Sequence, residues 1–171
     1  MNIKLLNNGK SKNHNSNNSL TLISKKPEET RKIGKKIGSL LKRGDLIALN
    51  GDLGAGKTCF VQGIASGINC SGKVSSPSFS IIKEYSGRLP IYHFDLYRLN
   101  QAEEIEELGY EEYFYGDGIV LIEWADKIKK YLPKELLLVK IKIEEEYCTR
   151  KIIFKPIGKR YIKLVEGLID I

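Results

Sequence analysis

The chain has 171 residues, of which 42% are hydrophobic and 29% are charged, a composition typical of one globular domain with a sizeable core. No stretch approaches the roughly 18 apolar residues of a membrane-spanning helix and no secretory signal is recognised, so we expect a cytoplasmic protein without membrane contact. The spacing of Cys59, Cys70 and Cys148 fits reduced thiols better than a disulfide framework or a zinc site.

The net charge of +7 is distributed unevenly along the sequence. Residues 1–43 contain 11 Lys and Arg against 2 Asp and Glu, residues 44–126 contain 5 against 13, and residues 127–171 contain 12 against 6. An acidic middle is therefore flanked by two basic ends. Such ends could attract RNA, although a solvated lysine-rich surface is the commoner explanation.

Residues 1–18 contain seven Asn and few core-forming residues, which predicts a low-complexity, disordered tail, and we assign residues 19–171 to a single domain. The first half of that domain is predicted to contain a strand at 20–23, a helix from Pro27 to Gly44, a strand at 46–49, a helix carrying Phe60 to Ile68, and strands at 79–85 and 89–96. The second half is predicted to contain a short acidic helix within 100–112, a strand at 119–122, strands at 136–143 and 150–155 that could pair, and a closing helix at 161–168. This order is typical of an α/β fold, a three-layer P-loop NTPase-like domain with a mostly parallel central sheet and a C-terminal antiparallel hairpin.

Residues 51–58, between the predicted strand at 46–49 and the next helix, match every fixed position of the phosphate-binding P-loop. They are Gly51, Asp52, Leu53, Gly54, Ala55, Gly56, Lys57 and Thr58. The glycines let backbone N–H groups surround phosphate oxygens, the Lys57 ammonium reaches the β- and γ-phosphates, and the Thr58 hydroxyl is suited to ligate Mg²⁺. The sequence therefore predicts binding of a nucleoside triphosphate with magnesium.

Two acidic residues, Asp95 and Glu123, directly follow predicted strands. Because the C-terminal ends of parallel strands lie near the phosphate site, either carboxylate could hold Mg²⁺ while the other orients the attacking water. The alternative for each is a polar residue that only caps the end of a strand. The Ser78 hydroxyl is a candidate γ-phosphate sensor in a switch segment, or part of an ordinary turn. His93 and Trp124 are interpreted as packing residues, with a role in the site as the alternative.

With these motifs in place, the chain resembles the TsaE (YjeE) family, the small P-loop ATPases of bacterial threonylcarbamoyladenosine biosynthesis. The resemblance extends from about residue 20 to about residue 156. It rests on the P-loop, on Ser76-Pro77-Ser78-Phe79, on Tyr92-His93-Phe94-Asp95-Leu96-Tyr97-Arg98 and on Glu123-Trp124. The family usually has Thr where this chain has Ser78, and often Pro where it has Ala125.

The resemblance implies a weak ATPase that uses ATP and Mg²⁺, with Thr58 and Glu123 as metal ligands and with Asp95 and Lys57 in the catalytic step. The other implied site residues are the rest of the P-loop, Pro27, Cys59 and Thr149 for nucleotide binding, the switch residue Ser78, and Trp124. The resemblance also implies TsaB and TsaD as partners, a link to tRNA only through that complex, and ATP hydrolysis that resets the complex between turnovers.

Two alternatives stay open at the level of sequence. One is a small P-loop metabolite kinase, although Arg88 and Arg98 are the only arginines between the P-loop and Glu123 and no paired-arginine lid stands out. The other is a nucleotide-dependent interaction module without catalysis. From the charge distribution we also expect the glutamates within 103–112 to form an acidic surface and the basic ends to face the partner or tRNA.

Overall fold

The computed structural model describes residues 19–145 and 149–169, which build a seven-stranded mixed sheet. The elements in chain order are β1 (Leu20–Ser24), α1 (Pro27–Leu40), β2 (Leu46–Asn50), α2 (Lys57–Gly67), β3 (Ile82–Tyr85), β4 (Ile91–Asp95), a first 3₁₀ segment (Ala102–Leu108), α3 (Tyr110–Phe114), β5 (Ile119–Glu123), a second 3₁₀ segment (Ala125–Tyr131), β6 (Leu136–Ile143), β7 (Arg150–Ile157) and α4 (Lys159–Glu166).

The strand order is β1-β7-β6-β2-β5-β4-β3. β6, β2, β5 and β4 are parallel to one another, whereas β1, β7 and β3 join through antiparallel pairings. The two central strands β2 and β5 are almost entirely buried, as continuous apolar runs predict for strands covered on both faces. The predicted α/β class, the mostly parallel sheet and the C-terminal antiparallel hairpin are confirmed.

The hydrophobic core lies on both faces of this sheet. One cluster, which includes Ile37, Phe60, Phe154 and Leu164, joins the sheet to α1, α2 and α4. The other cluster joins β2, β4 and β5 to α3 and the two 3₁₀ segments, with Phe94 at its centre. The three layers leave the carboxyl ends of β2, β4 and β5 together at one edge of the sheet.

α1 and α2 pack so closely that their backbones touch. A Cβ added at Gly34 would lie 2.4 Å from the carbonyl oxygen of Phe60, and one added at Gly38 would lie 2.2 Å from that of Ile64. Only glycine leaves room for this approach. The contact fixes the position of α2, whose first residue is Lys57 of the P-loop.

Two predicted helices differ from the structure at glycines. α1 ends at Leu40, and Gly44 lies in the turn before β2 with φ 76°, so Gly44 does not end the helix as predicted. The acidic helix predicted within 100–112 is the first 3₁₀ segment followed by α3. Gly109, with φ 62°, separates the two, because its left-handed backbone interrupts the helical path.

The strand predicted at 79–85 begins only at Ile82. The residues before it form a turn, in which the backbone N–H of Ile81 donates to the carbonyl of Pro77 at 2.7 Å. Ile81 itself has φ 63°, a value outside the extended range. The serine-rich segment is therefore a compact loop that leads into β3.

Some predictions fall outside the described residues or are not tested by them. The tail at 1–18 and Cys148 lie outside, so the domain boundary stays a prediction, while Cys59 and Cys70 are free thiols. Among the helices of residues 19–145 and 149–169, none is long and apolar enough to cross a membrane.

Candidate nucleotide-binding site

The loop between β2 and α2 has the backbone of a phosphate-binding turn. Gly56 has φ 104°, a left-handed value that favours glycine, and α2 begins at the next residue. Gly51 approaches β6 so closely that a Cβ there would lie 2.4 Å from the carbonyl oxygen of Ile141. The free N–H groups and the positive dipole end of α2 therefore face the space beside the loop.

The Lys57 ammonium lies over this loop. It donates to the carbonyl oxygens of Gly51 at 2.6 Å and Asp52 at 2.9 Å, and its Nζ lies 3.7 Å from the centroid of the Trp124 ring. Burial lowers the pKa of Lys57, and nearby carboxylates, above all that of Glu123, oppose this shift. The site therefore holds a partly desolvated cation next to the phosphate-binding turn.

Glu123, the last residue of β5, is buried and hydrogen-bonded on both of its oxygens. Thr58 Oγ1 lies 2.9 Å from Oε1 and 3.1 Å from Oε2, and His93 Nε2 lies 3.0 Å from Oε1. A carboxylate only accepts hydrogen bonds, so the Thr58 hydroxyl and the His93 Nε2–H both donate to it. The predicted metal ligands Thr58 and Glu123 are thus brought together.

His93 is buried as a packing residue would be, and its ring also hydrogen-bonds to Glu123, which favours the alternative role in the site. His93 is completely buried, and its Nδ1 has no hydrogen-bond partner within the part of the chain that the structure describes. The signal was present in the sequence: His93 is two residues before Asp95, and alternate residues of a strand share one face.

Asp95, the last residue of β4, is held by the serine-rich segment. Ser78 Oγ donates to Asp95 Oδ2 at 2.7 Å, Ser76 Oγ donates to the same oxygen, and the Tyr97 N–H donates to Oδ1 at 3.1 Å. Burial by itself raises the pKa of Asp95, but these hydrogen bonds outweigh it, and the pKa lies below its usual value. Ser76 is a site residue that sequence reasoning missed.

The family model described as Threonylcarbamoyl adenosine biosynthesis protein TsaE matches residues 24–152. The chain belongs to the TsaE family.

Individual TsaE relatives cover most of the chain. The tRNA threonylcarbamoyladenosine biosynthesis protein TsaE of Bacillus subtilis (strain 168) is 48% identical over 143 residues, which is 83% of this chain and 89% of the relative. The protein of the same name from Treponema pallidum (strain Nichols) is 36% identical, over 71% of this chain and 90% of its own. A crystal structure of Bacillus subtilis YdiB superimposes with a TM-score of 0.77 at 42% identity, covering 88% of this chain and 94% of that one.

In this TsaE fold, two adjacent cavities flank the P-loop. The larger, of about 460 Å³, is lined by Lys57, Thr58, Asp95 and Glu123 among others. Ser78 and Trp124 line it as well. The candidate catalytic, metal-binding and switch residues therefore share one cavity.

The smaller cavity, of about 140 Å³, lies on the other side of the loop. Pro27, Cys59 and Arg150 line it, and Arg150 Nε donates to the carbonyl oxygen of Ala55 at 3.0 Å. Thr149 is buried and lines neither cavity, in contrast to its neighbour. A nucleotide contact by Pro27, Cys59 or Thr149 stays a prediction.

Trp124 has an exceptional backbone for its size. Its φ of 62° is left-handed, a rare conformation for a bulky residue. Its ring packs beside that of Tyr97, with the centroids 5.2 Å apart, and under the Lys57 ammonium. It therefore forms part of the cavity wall, the alternative that the sequence left open.

The donors present fit Mg²⁺. This ion prefers oxygen ligands and binds through one or two protein groups, with water and substrate phosphates completing its shell. The Thr58 hydroxyl and the Glu123 carboxylate supply such oxygens within hydrogen-bond distance of each other, at the edge of the larger cavity.

Proposed function

We propose that the protein is a Mg²⁺-dependent ATP-binding and hydrolysing subunit required for threonylcarbamoyladenosine modification of tRNA. The observation that carries the proposal is the common cavity of Lys57, Thr58, Asp95 and Glu123. The pathway is taken from the relatives that are named tRNA threonylcarbamoyladenosine biosynthesis protein TsaE.

Binding uses groups that are already oriented. The N–H groups of the P-loop and of the first turn of α2 donate to phosphate oxygens, and the Lys57 ammonium moves from the carbonyls of Gly51 and Asp52 to the β- and γ-phosphates. Thr58 and Glu123 hold Mg²⁺, which neutralises charge on the phosphate oxygens when bound. The smaller cavity beside Arg150 takes the nucleoside end.

Asp95 orients the attacking water. Its lowered pKa keeps the carboxylate ionised, so it accepts a hydrogen bond from water while remaining a weak base. That suits phosphoryl transfer, which depends on positioning and charge stabilisation more than on early proton removal. Ser76 and Ser78 hold the carboxylate in one orientation through their hydrogen bonds to Oδ2.

A metabolite kinase is less well supported. Such kinases need arginines that close over the transferring phosphoryl group. The guanidinium of Arg88 instead donates to the carbonyl oxygens of Gly38 and Leu41, so it holds the end of α1. Only Arg98 of the two candidate arginines lines the larger cavity.

We assign the hydrolysis to a complex with TsaB and TsaD, which it resets between turnovers, with tRNA contacted through that complex. Support comes from exposed apolar side chains: Leu53, which lines the cavity, is 72% exposed, and Phe79, next to the cavity-lining Ser78, is 88% exposed with the Arg98 guanidinium over its ring. Clusters of exposed apolar side chains are typical of protein interaction sites. Covering the cavity mouth would also exclude bulk water and strengthen its electrostatic interactions.

The experiment is ATP turnover by the purified protein, alone and with TsaB and TsaD. The Asp95→Asn variant should lose about 10²- to 10³-fold in turnover while its affinity for Mg-ATP stays within about threefold, because Asp95 acts on water rather than on the nucleotide. The Lys57→Ala variant should lose nucleotide binding as well.

The matched control is Asp117→Asn, which removes an exposed carboxylate in the turn before β5 and should leave both quantities unchanged. Equal turnover by Asp95→Asn and the parent protein would contradict the hydrolytic role. Transfer of phosphate to a small metabolite would favour the kinase instead.

A further inference from the structure

One part of the sheet has no second layer of helices among the residues that the structure describes. The core cluster under α3 and the 3₁₀ segments contains buried residues of β2, β4, β5 and the start of β6, and none from β1 or β7. After Leu138, alternate residues of β6 and β7 point to opposite faces of the sheet. Residues such as Ile141 and Ile152 are buried in the core with α1, α2 and α4, and the residues between them lie on the other face, which the helices do not cover. Within residues 19–145 and 149–169 no other element covers this half of the sheet, and Lys140, Lys142 and Lys155 on it are exposed.

Four lysines occupy the uncovered half, and we call them the open basic face: Lys140, Lys142, Lys151 and Lys155. Lys142 is directly opposite Lys151, and Lys140 is directly opposite Ile153. Lys155 follows Ile153 by two residues and therefore lies on the same face. Neighbouring strands are about 4.8 Å apart and alternate residues of a strand about 6.7 Å apart, so the lysines form a regular array.

Among the described residues, no ion pair involves this array. The residues of β1 beside it, Thr21 and Ile23, are uncharged. Glu144 and Glu145, at the end of β6, form no ion pair with the four lysines. Like charges directly opposite on two strands are destabilising, so an anion bound here would stabilise the arrangement.

The preceding part of the chain does not supply that anion. Residues 1–18, which lead into β1, contain Lys4, Lys10 and Lys12 and no acidic residue. Charge complementarity therefore points to a molecule other than this chain.

We propose that the open basic face binds the phosphodiester backbone of RNA. A repeated array of ammonium groups fits a polymer with one negative charge per nucleotide. The half-buried Ile153 between the lysines and the half-buried Ile23 beside Lys151 offer aliphatic surface to ribose. Among the described residues of this face none is aromatic, so the contact is to phosphate and sugar rather than to stacked bases. That the RNA is a tRNA rests on the proposed function, and this direct contact would add to the link to tRNA through the complex.

The test is binding of a fluorescently labelled, unmodified tRNA transcript, measured by anisotropy over a series of salt concentrations. The variant with Lys140→Gln, Lys142→Gln, Lys151→Gln and Lys155→Gln should bind at least about tenfold more weakly. Its slope of log affinity against log salt should be smaller by up to about 3, as the loss of four phosphate contacts predicts.

The matched control changes four exposed lysines of α1 and α4, Lys32, Lys35, Lys159 and Lys163, to Gln. Net charge falls equally, yet tRNA binding should stay within about twofold of the parent. If both variants bound tRNA equally weakly, only total charge would matter and the proposal would be wrong. Equal tRNA affinity of the face variant and the parent would also overturn it. Binding of poly-glutamate but not tRNA, lost in the face variant, would make the face a protein docking surface instead.

The same proteins separate this proposal from the proposed ATPase. The open-face variant should keep the basal ATP turnover of the parent, since none of its four lysines lines either cavity. The Lys57→Ala variant should lose turnover and keep tRNA binding. If none of these proteins, the parent included, bound tRNA while the parent kept its ATP turnover, the RNA site would be refuted and the ATPase proposal would stand.

Discussion

At the residue scale, the two carboxylates of the larger cavity are held by different partners and so can do different work. Glu123 accepts hydrogen bonds from Thr58 and His93, groups on α2 and β4. Asp95 accepts from Ser76 and Ser78, which belong to the loop before β3. The first carboxylate is anchored to the rigid core, whereas the second is tied to a segment of irregular backbone that can respond to a ligand.

His93 is expected to position Glu123 for metal binding. His93→Phe removes the Nε2–H donor without opening a large cavity, so the carboxylate loses one of the hydrogen bonds that orient it. The Mg²⁺ concentration for half-maximal ATP turnover should rise about 10- to 100-fold, as is usual when the partner of a metal ligand is lost.

Two further variants make the test of His93 specific. His93→Gln keeps an N–H donor at a similar reach and should restore part of the metal affinity. Tyr92→Phe, on the opposite face of the same strand, should change nothing. An unchanged Mg²⁺ dependence in His93→Phe would show that the histidine only fills space.

The hydroxyls on Asp95 should set the acid limb of activity. They stabilise the ionised carboxylate, so the group stays charged, and the proposed hydrolysis continues, down to a lower pH than burial alone would allow. In the Ser76→Ala, Ser78→Ala double variant, burial dominates and the pKa of Asp95 rises. The acid limb of the kcat profile should therefore move to higher pH.

Ser80→Ala is the control for that pH profile, because the Ser80 hydroxyl contacts the Pro77 carbonyl and not Asp95. If kcat falls at the same acid pH in the double variant as in the parent, ionisation of Asp95 does not control the rate-limiting step.

At the scale of elements, the position of the P-loop depends on the contact between two helices. α2 presents the loop's lysine and threonine, and α1 holds α2 against the sheet through glycines at the crossing. The close approach brings Pro27, the first residue of α1, to the smaller cavity beside Cys59, whose Sγ donates to the Pro27 carbonyl at 3.4 Å. The helix pair therefore links stability to the proposed nucleotide site.

Gly34→Ala should disrupt this crossing. The added methyl would lie 2.4 Å from a backbone carbonyl oxygen, so the helices must separate, at a cost of about 1–3 kcal/mol in the free energy of unfolding. Urea denaturation measures that loss, and ATP affinity should fall in parallel. Ser39→Ala places the same side chain on the exposed side of α1 and should change the unfolding free energy by less than about 0.5 kcal/mol. Equal stability of the two variants would mean that the helices readjust freely.

At the scale of the whole molecule, α4 closes the fold by bonding to the strand that leads into the P-loop. The backbone N–H of Leu46 donates to the Tyr161 hydroxyl at 2.8 Å, and Arg160 forms an ion pair with Asp45 at 2.6 Å. These contacts join residues that are 115 positions apart in the sequence. They fix the start of β2 and hence the register of the central strands.

Tyr161 should make stability depend on alkaline pH. Burial raises the pKa of its phenol to about 12, whereas the unfolded chain ionises near 10, so its contribution is complete below pH 10 and is lost as pH rises toward 12. The Tyr161→Phe variant should show a shallower loss of unfolding free energy over this interval. At neutral pH it should be less stable by about 1–3 kcal/mol, because the buried Leu46 N–H loses its acceptor. Parallel pH curves for variant and parent would contradict this.

Surface charge is only partly organised as the sequence suggests. The glutamates within 103–112 were expected to form one acidic surface, but Glu103 pairs with Lys130 and the Glu104 carboxylate accepts the N–H groups of Asn100 and Gln101. Glu106 and Glu111 accept hydrogen bonds from the Tyr131 and Tyr110 hydroxyls, so four of the six acids contribute to the local fold. Four lysines of β6 and β7, by contrast, are gathered onto one face by strand alternation.

The sequence by itself determined what depends on residues close together in the chain. The P-loop, the strand before it and the helix after it follow from local pattern, and so do the carboxylates that end β4 and β5. The pairing of Glu123 with His93 and the bonds from Ser76 and Ser78 to Asp95 were decided only by tertiary structure. The first joins residues 30 positions apart and the second residues 19 and 17 positions apart, and both depend on the register in which Asp95 lies opposite Glu123 across parallel strands. Hydrophobic burial over the entire sheet selects that register, and no local pattern encodes it.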